Sequence, residues 1–179
     1  RPMSDGPDPA LVAALSEAIE CRLAAQRLEP LVVGICGAQG SGKTTLAGAV
    51  AKGLRSRGAA TAVLSLDDLY LTRAERLRLA RTVHPLFATR GVPSTHDVAL
   101  GLAVLDSLAR GEAAELPRFD KSADDRAPRQ QWDRAPERTR VVLFEGWCVG
   151  AVPQGEEALV APVNALEASE DAQGIWRRH

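Results

Sequence analysis

Eight residues, Gly37-Ala38-Gln39-Gly40-Ser41-Gly42-Lys43-Thr44, constrain this chain more than any other stretch. They fit the pattern G-x-x-x-x-G-K-[ST], and the flanks fit as well: an apolar run, Leu31 to Cys36, precedes them, and Thr45 to Ala51 has the composition of a helix. Strand, glycine loop and helix are the context this pattern needs. Glycines let the backbone curl until its N–H groups face inward, and the helix N-terminus adds partial positive charge, so the segment is read as a cradle for a polyanion. The expected nucleotide contacts are Gly37, Ala38, Gln39, Gly40, Ser41, Gly42, Lys43, Thr44 and Thr45. Lys43 is expected to reach the outer phosphates and the Thr44 hydroxyl to ligate Mg²⁺.

A chain of 179 residues with 45% hydrophobic and 25% charged residues suits one ordinary globular domain. The expected single domain, 1–179, includes an N-terminal helix within 1–30 and a polar surface excursion over 120–139. A net charge of −1 gives no global basic field for nucleic acid. No run of eighteen or so apolar residues suggests a membrane span. Met3 reads as the natural start, and residues 1–7 lack an apolar signal core, which points to a cytoplasmic protein. Cys21, Cys36 and Cys148 are odd in number, widely spaced and without a CxxC, so they read as reduced thiols rather than a zinc site.

Strand and helix patterns alternate along the chain. Asp8 before Pro9 is a helix start, followed by Leu11, Leu15, Ile19 and Leu23 at near-helical spacing, with an end before Pro30. The helix after the glycine loop is expected to reach about Arg57, with Gly58 past its end. Thr61 to Leu66 reads as a second buried strand and Arg140 to Gly146 as a third. Helices are expected from Thr72 to about Thr82, from Ser94–Asp97 to Gly111 with Val98, Leu102, Leu105 and Leu108, and from Asn164 to Trp176. Glu115 to Phe119, containing Pro117, reads as an edge strand. The implied fold is α/β, a three-layer α/β/α arrangement around a mostly parallel sheet. Such sheets bind ligands at the carboxyl ends of their strands. The glycine loop, Asp67-Asp68 and Glu145 are therefore expected to share one crevice.

Those residues suggest phosphoryl transfer from a nucleoside triphosphate. Thr44, Glu145 and Asp67 are the metal candidates, Lys43 and Asp67 the catalytic ones, with Asp67 as the base that takes an acceptor's hydroxyl proton. An N-cap role is the alternative for Asp67 and Asp68, and a solvated strand end is the alternative for Glu145.

Several further blocks resemble the D-glycerate 3-kinase family of plants, fungi and bacteria. They are Leu66-Asp67-Asp68-Leu69-Tyr70-Leu71-Thr72, Arg90-Gly91-x-Pro93-x-Thr95-His96-Asp97, Pro117-Arg118-Phe119-Asp120-Lys121-Ser122, Asp125-Arg126-Ala127 with Trp132, and Phe144-Glu145-Gly146-Trp147. The Asp-Asp-aromatic step is shared with uridine, pantothenate and phosphoribulose kinases of the P-loop NTPase fold. The resemblance implies ATP- and Mg²⁺-dependent phosphorylation of a small acidic acceptor at its primary hydroxyl. Cationic groups would then face the acceptor's carboxylate: Arg90, His96, Arg118 and Lys121 are the candidates, with Tyr70 and Trp147 as walls. His96 has a cap for the helix that follows as its alternative.

The resemblance also implies a chain that continues past His179 with a further strand and a basic lid. The sheet is accordingly expected to be incomplete at its C-terminal side, with an edge that a homo-oligomer could cover. Two other readings stand beside the glycerate kinase: a nucleotide-binding protein without turnover, and a kinase for a nucleoside or pantothenate. A P-loop GTPase is disfavoured, because there is no N/T-K-x-D guanine motif.

Overall fold

A computed structural model describes residues 6–25 and 30–179. The proposed start at Met3 and the stretch just before Pro30 lie outside the described residues. In chain order the elements are α1 (Pro9–Ala25), β1 (Leu31–Cys36), α2 (Lys43–Ser56), β2 (Thr61–Ser65), α3 (Arg73–Thr82), α4 (Val98–Ala109), β3 (Ala114–Leu116), β4 (Phe119–Asp120), β5 (Asp125–Arg126), β6 (Asp133–Ala135), β7 (Val141–Gly146), α5 (Ala165–Glu170) and α6 (Ile175–Arg178). Short 3₁₀ turns lie between them, the most important being Leu66–Leu69.

The central sheet is parallel, in the order β1-β7-β2. The central place of β7 explains its unbroken apolar run: Val141, Val142 and Leu143 are fully buried because both faces of the strand are covered. Val141 and Leu143 pack with Val50, Ala51 and Leu54 of α2 and Ile19 and Leu23 of α1. Val142, one residue out of phase, packs on the opposite face with Ala62 and Leu64 of β2, Val104 and Leu108 of α4, and Leu116 and Ala135. Helices on one face, sheet in the middle, and α4 with the β3–β6 ribbon on the other make the three layers.

Element ends follow local chemistry. Asp8 accepts from the Ala10 amide (2.9 Å), as an N-cap does. Gly58, at φ +83°, turns α2 off and donates to the Arg55 carbonyl. Thr72 opens α3 with a reciprocal capping box to Glu75.

Two expectations need correction, the strand over Glu115–Phe119 and the helix over Asn164–Trp176, and two gain detail. The buried face of α4 is Gly101, Val104 and Leu108, while Val98 and Leu102 are exposed; Gly101 is on that face because a Cβ there would stand 3.0 Å from Leu69 Cδ1. The strand expected over Glu115–Phe119 is split at Pro117, which has no N–H to offer a ladder, into β3 and β4. Neither joins the main sheet: β3 pairs antiparallel with β6, and β4 with β5. The polar stretch 120–139 is largely exposed, yet it is folded, in part as ribbon, and several of its charges are matched by partners on distant elements. Finally, the helix expected over Asn164–Trp176 is two helices. Asn164 caps α5 (Glu167 amide, 2.9 Å), and Asp171 then stops it by accepting the amides of Trp176 (2.9 Å) and Arg177 (3.2 Å), with Gly174 at φ +68° making the corner.

Among the described residues, no helix is long and apolar enough to cross a membrane. The three cysteines are free thiols.

Candidate active site

The glycine loop joins β1 to α2 with Gly40 at φ +77° and Gly42 at φ +83°, conformations a side chain would strain. Gly42 is the N-cap of α2, and with no side chain on it the helix's first amides receive no side-chain cap. Gly37 is needed for closeness instead: a Cβ there would be 3.0 Å from Ser41 Oγ. Lys43 folds back so that its ammonium donates to the Ala38 carbonyl at 3.0 Å. The result is a glycine loop on an uncapped, positive helix end with a lysine across it, which suits a chain of phosphates.

Strand ends bring acids to this loop. Glu145, at the end of β7, is 3% exposed, and its Oε1 accepts from the Thr44 hydroxyl at 2.9 Å. It is not a solvated strand end. A buried carboxylate bonded to a hydroxyl is an oxygen-donor arrangement that fits a hard cation. Asp67, from the turn after β2, lines the same small cavity of about 70 Å³ together with Gln39, Lys43, Thr44, Glu145, Gly146 and Trp147. Among the described residues, no three His, Cys, Asp or Glu side chains are grouped tightly enough to hold a metal alone. The donors that are present, one hydroxyl and two carboxylates, are all oxygen and fit Mg²⁺, an ion that takes few protein ligands and shares its shell with substrate phosphates and water.

The two aspartates are not helix caps. Asp67 accepts from the Tyr70 hydroxyl (Oδ1, 2.8 Å) and from Lys121 (Oδ2, 2.6 Å). Burial alone would raise its carboxyl, but hydrogen bonds from Lys121 and Tyr70 and the charges of Lys121 and Lys43 outweigh burial and hold it below the ordinary aspartate value. Asp68 accepts from the Arg118 guanidinium (2.7 Å) and from the Phe119 amide (2.9 Å). Arg118 also bonds Asp133 of β6. A larger cleft of about 650 Å³ opens here, and Thr44, Asp67, Asp68, Arg118, Lys121 and Glu145 are among the residues lining it.

Of the cations expected at an acidic acceptor, Arg118 and Lys121 line this cleft, whereas Arg90 and His96 line neither cavity. Arg90 is engaged by Asp124 and sits over the Phe119 ring at 5.7 Å. His96 lies behind Tyr70, ring centroids 4.8 Å apart, with a buried Nε2 that finds no hydrogen-bond partner among the described residues. Burial holds the His96 imidazolium pKa below its ordinary value, the Asp67 charge opposing. The cap of α4 is Asp97, which accepts from the Leu100 amide at 2.9 Å, and not His96. Tyr70 is buried and acts on the site through its hydroxyl. Burial, then the neighbouring Asp67, push the pKa of that phenol up, so it stays protonated and keeps donating. Trp147 is 45% exposed on the rim of the small cavity.

Residues 32–157 match the phosphoribulokinase/uridine kinase family. This chain belongs to that family. It is 42% identical over 133 residues to the uncharacterized kinase mug58 of Schizosaccharomyces pombe, covering 69% of this chain and 48% of that protein. It is 35% identical over 149 residues to the chloroplastic D-glycerate 3-kinase of Arabidopsis thaliana, covering 77% of this chain and 32% of the relative. Its fold matches the D-glycerate 3-kinase of Cryptococcus neoformans var. grubii with a TM-score of 0.72 and 32% identity, over 85% of this chain and 57% of that one. The chain thus spans about half or less of the length of the curated relatives it matches.

One residue built into this site carried no sequence signal. Arg76, one of four arginines on α3, is 1% exposed. Its guanidinium donates to the carbonyls of Leu71 (3.3 Å), Ala88 (2.8 Å) and Asp124 (2.7 Å) and pairs with the Asp124 carboxylate at 2.9 Å. Arg126 adds bonds to the Tyr70 carbonyl (3.0 Å) and to Asp97 (2.8 Å). Together they fasten the β4–β5 hairpin, whose turn carries Lys121, to the segment that carries Asp67 and Tyr70.

Proposed function

We propose that the chain transfers the γ-phosphoryl group of ATP to the primary hydroxyl of a small hydroxy acid, D-glycerate in the first instance. The observation that carries this reading is the position of Asp67. It lies within hydrogen-bond reach of Lys121 and lines one cavity with Lys43, Thr44 and Glu145, so a base, a cation and a phosphate cradle share a single cleft. The resemblance of the blocks around Arg118, Lys121 and Glu145 to glycerate kinases, and the two relatives of that name, support the choice of acceptor.

In this reading the amides of Gly37 to Thr45 and the Lys43 ammonium hold the β- and γ-phosphates. Thr44, Glu145 and Asp67 would hold Mg²⁺, which when bound supplies positive charge against the phosphate oxygens. Asp67 takes the proton of the attacking hydroxyl, and Tyr70 fixes the direction of its carboxylate. Lys121 and Arg118 face the acceptor's carboxylate. A planar guanidinium and an ammonium on one wall suit an anionic acceptor better than a nucleoside.

The test is direct. Purified protein with Mg-ATP is offered D-glycerate, L-glycerate, uridine and pantothenate, and ADP release is followed. D-Glycerate-dependent ADP is expected. ATP binding without ADP release for any acceptor would leave a nucleotide-binding protein and reject the kinase.

A further inference from the structure

Asp67 is occupied on both oxygens before any acceptor arrives, by Tyr70 on one and Lys121 on the other. An oxygen that already accepts from an ammonium at 2.6 Å is poorly placed to accept a hydroxyl proton as well. The two donors differ in one respect. Tyr70 is buried and confined, ringed by His96 and Phe119, whereas the Lys121 side chain is 57% exposed. An exposed ion pair of this kind shifts an equilibrium by no more than about fivefold, so it yields readily to a competing anion. The hairpin behind Lys121 does not need to move, because Arg76 and Arg126 fasten it.

We infer that Lys121 is a specificity-determining residue that masks Asp67 and is drawn off preferentially by an acceptor bearing its own anionic group. The inference rests on the kinase reading above. A carboxylate on the acceptor takes over the Lys121 ammonium, and the freed Asp67 oxygen then faces the acceptor's hydroxyl. In the step that follows, the hydroxyl oxygen bonds to the γ-phosphorus, the bond from that phosphorus to the β–γ bridging oxygen breaks, ADP carries that electron pair away, and the hydroxyl proton passes to Asp67. An uncharged triol of the same size, glycerol, has nothing with which to displace Lys121. The ion pair therefore selects against neutral acceptors even where they fit.

The experiment compares D-glycerate with glycerol as acceptors for the wild type and for Lys121→Met, with the melting temperature as a check on folding. Wild type is expected to turn over D-glycerate and to use glycerol poorly. In Lys121→Met the KM for D-glycerate should rise about tenfold or more, as expected for loss of a charged partner, while kcat with glycerol increases severalfold because the base is no longer masked. A fall in glycerol turnover parallel to that of D-glycerate, or no change in it, would overturn the masking role and leave Lys121 at most a carboxylate anchor. A wild type that phosphorylates neither acceptor, nor any other in the panel, fails the kinase reading instead, and that outcome is distinct from either pattern.

Discussion

The Thr44 hydroxyl donates to Glu145 Oε1 across 2.9 Å, tying the first turn of α2 to the end of the central strand. The two residues are 101 positions apart in the chain, and only the parallel pairing of β1 with β7, which sets Ile35 opposite Glu145, brings them together. The carboxylate is nearly inaccessible, so its charge is compensated locally or not at all.

Glu145→Gln keeps the size of the side chain and its ability to accept from Thr44, and removes the negative charge. Folding should persist, because a neutral amide is easier to bury than a carboxylate. Acceptor-dependent ADP release should fall by about a hundredfold or more, the scale on which a single charge-stabilising group acts. Raising Mg²⁺ should recover part of that loss, which a Mg²⁺ titration of the initial rate would show. Activity within a few-fold of wild type at every Mg²⁺ concentration would remove Glu145 from the metal set.

Gly146 follows Glu145 in β7 and faces the turn that bears Asp67. A Cβ at position 146 would stand 2.6 Å from Leu66 Cβ and 3.1 Å from Val149 Cγ2. The Val149 methyl can turn aside, but Leu66 Cβ is fixed to its backbone, and Leu66 immediately precedes Asp67. Gly146→Ala should therefore cost about 1–3 kcal/mol of stability through overpacking. It should also lower kcat more than it weakens ATP binding. A urea melt and paired kinetic and nucleotide-titration measurements separate the two effects.

The sheet and the phosphate loop were legible because both are written locally: an apolar run for each buried strand, glycines for the loop. The acids at the strand ends were legible for the same reason. What the sequence hid is long-range pairing of charge. Residues 120–139 are polar and largely exposed, yet Asp133 pairs with Arg118, Lys121 reaches Asp67, and Asp124 takes the buried Arg76. Arg76 is indistinguishable in the sequence from its neighbours Arg73, Arg78 and Arg81, and its burial depends on carbonyls that three separate segments deliver. His96, expected among the cations facing the acceptor, lines neither cavity, because its pairing with Tyr70 turns the imidazole behind the site; the alternative, a helix cap, falls to Asp97 beside it.

Arg76→Met tests the fastening of the hairpin. The carbonyls of Leu71, Ala88 and Asp124 lose their donor together, at about 1–3 kcal/mol for each group that finds no substitute. Partial relaxation makes about 3 kcal/mol the expected total, equivalent to a drop of about 6–12 °C in melting temperature for a chain of this size. Hydrogen exchange should accelerate across 119–126 before it does in the glycine loop. Equal acceleration in both would mean that Arg76 supports the fold at large rather than this hairpin.

Asp124, the partner of Arg76 and Arg90, makes stability depend on pH in a predictable direction. Burial by itself would raise its carboxyl, but hydrogen bonds from Arg76 and Arg90 and their charges prevail, and it titrates below the ordinary 3.8 in the folded protein. A depressed native value means that the unfolded chain binds the proton first. The contribution is thus fully present above the unfolded value, shrinks as pH falls below about 4, and is lost once pH has passed through the native value. Asp67, held low chiefly by Lys121 and Tyr70 against burial, adds to the same slope. Asp124→Asn isolates one share of it. Asp124 adopts φ +54°, a conformation asparagine accepts as readily as aspartate, so the backbone is unaffected and the change is one of charge. Urea midpoints measured at pH 7, 5, 4 and 3 should show the variant less stable than wild type at pH 7, with the gap closing toward pH 3. A gap that stays constant over that range would mean that the Asp124 carboxylate contributes through its shape and not its charge.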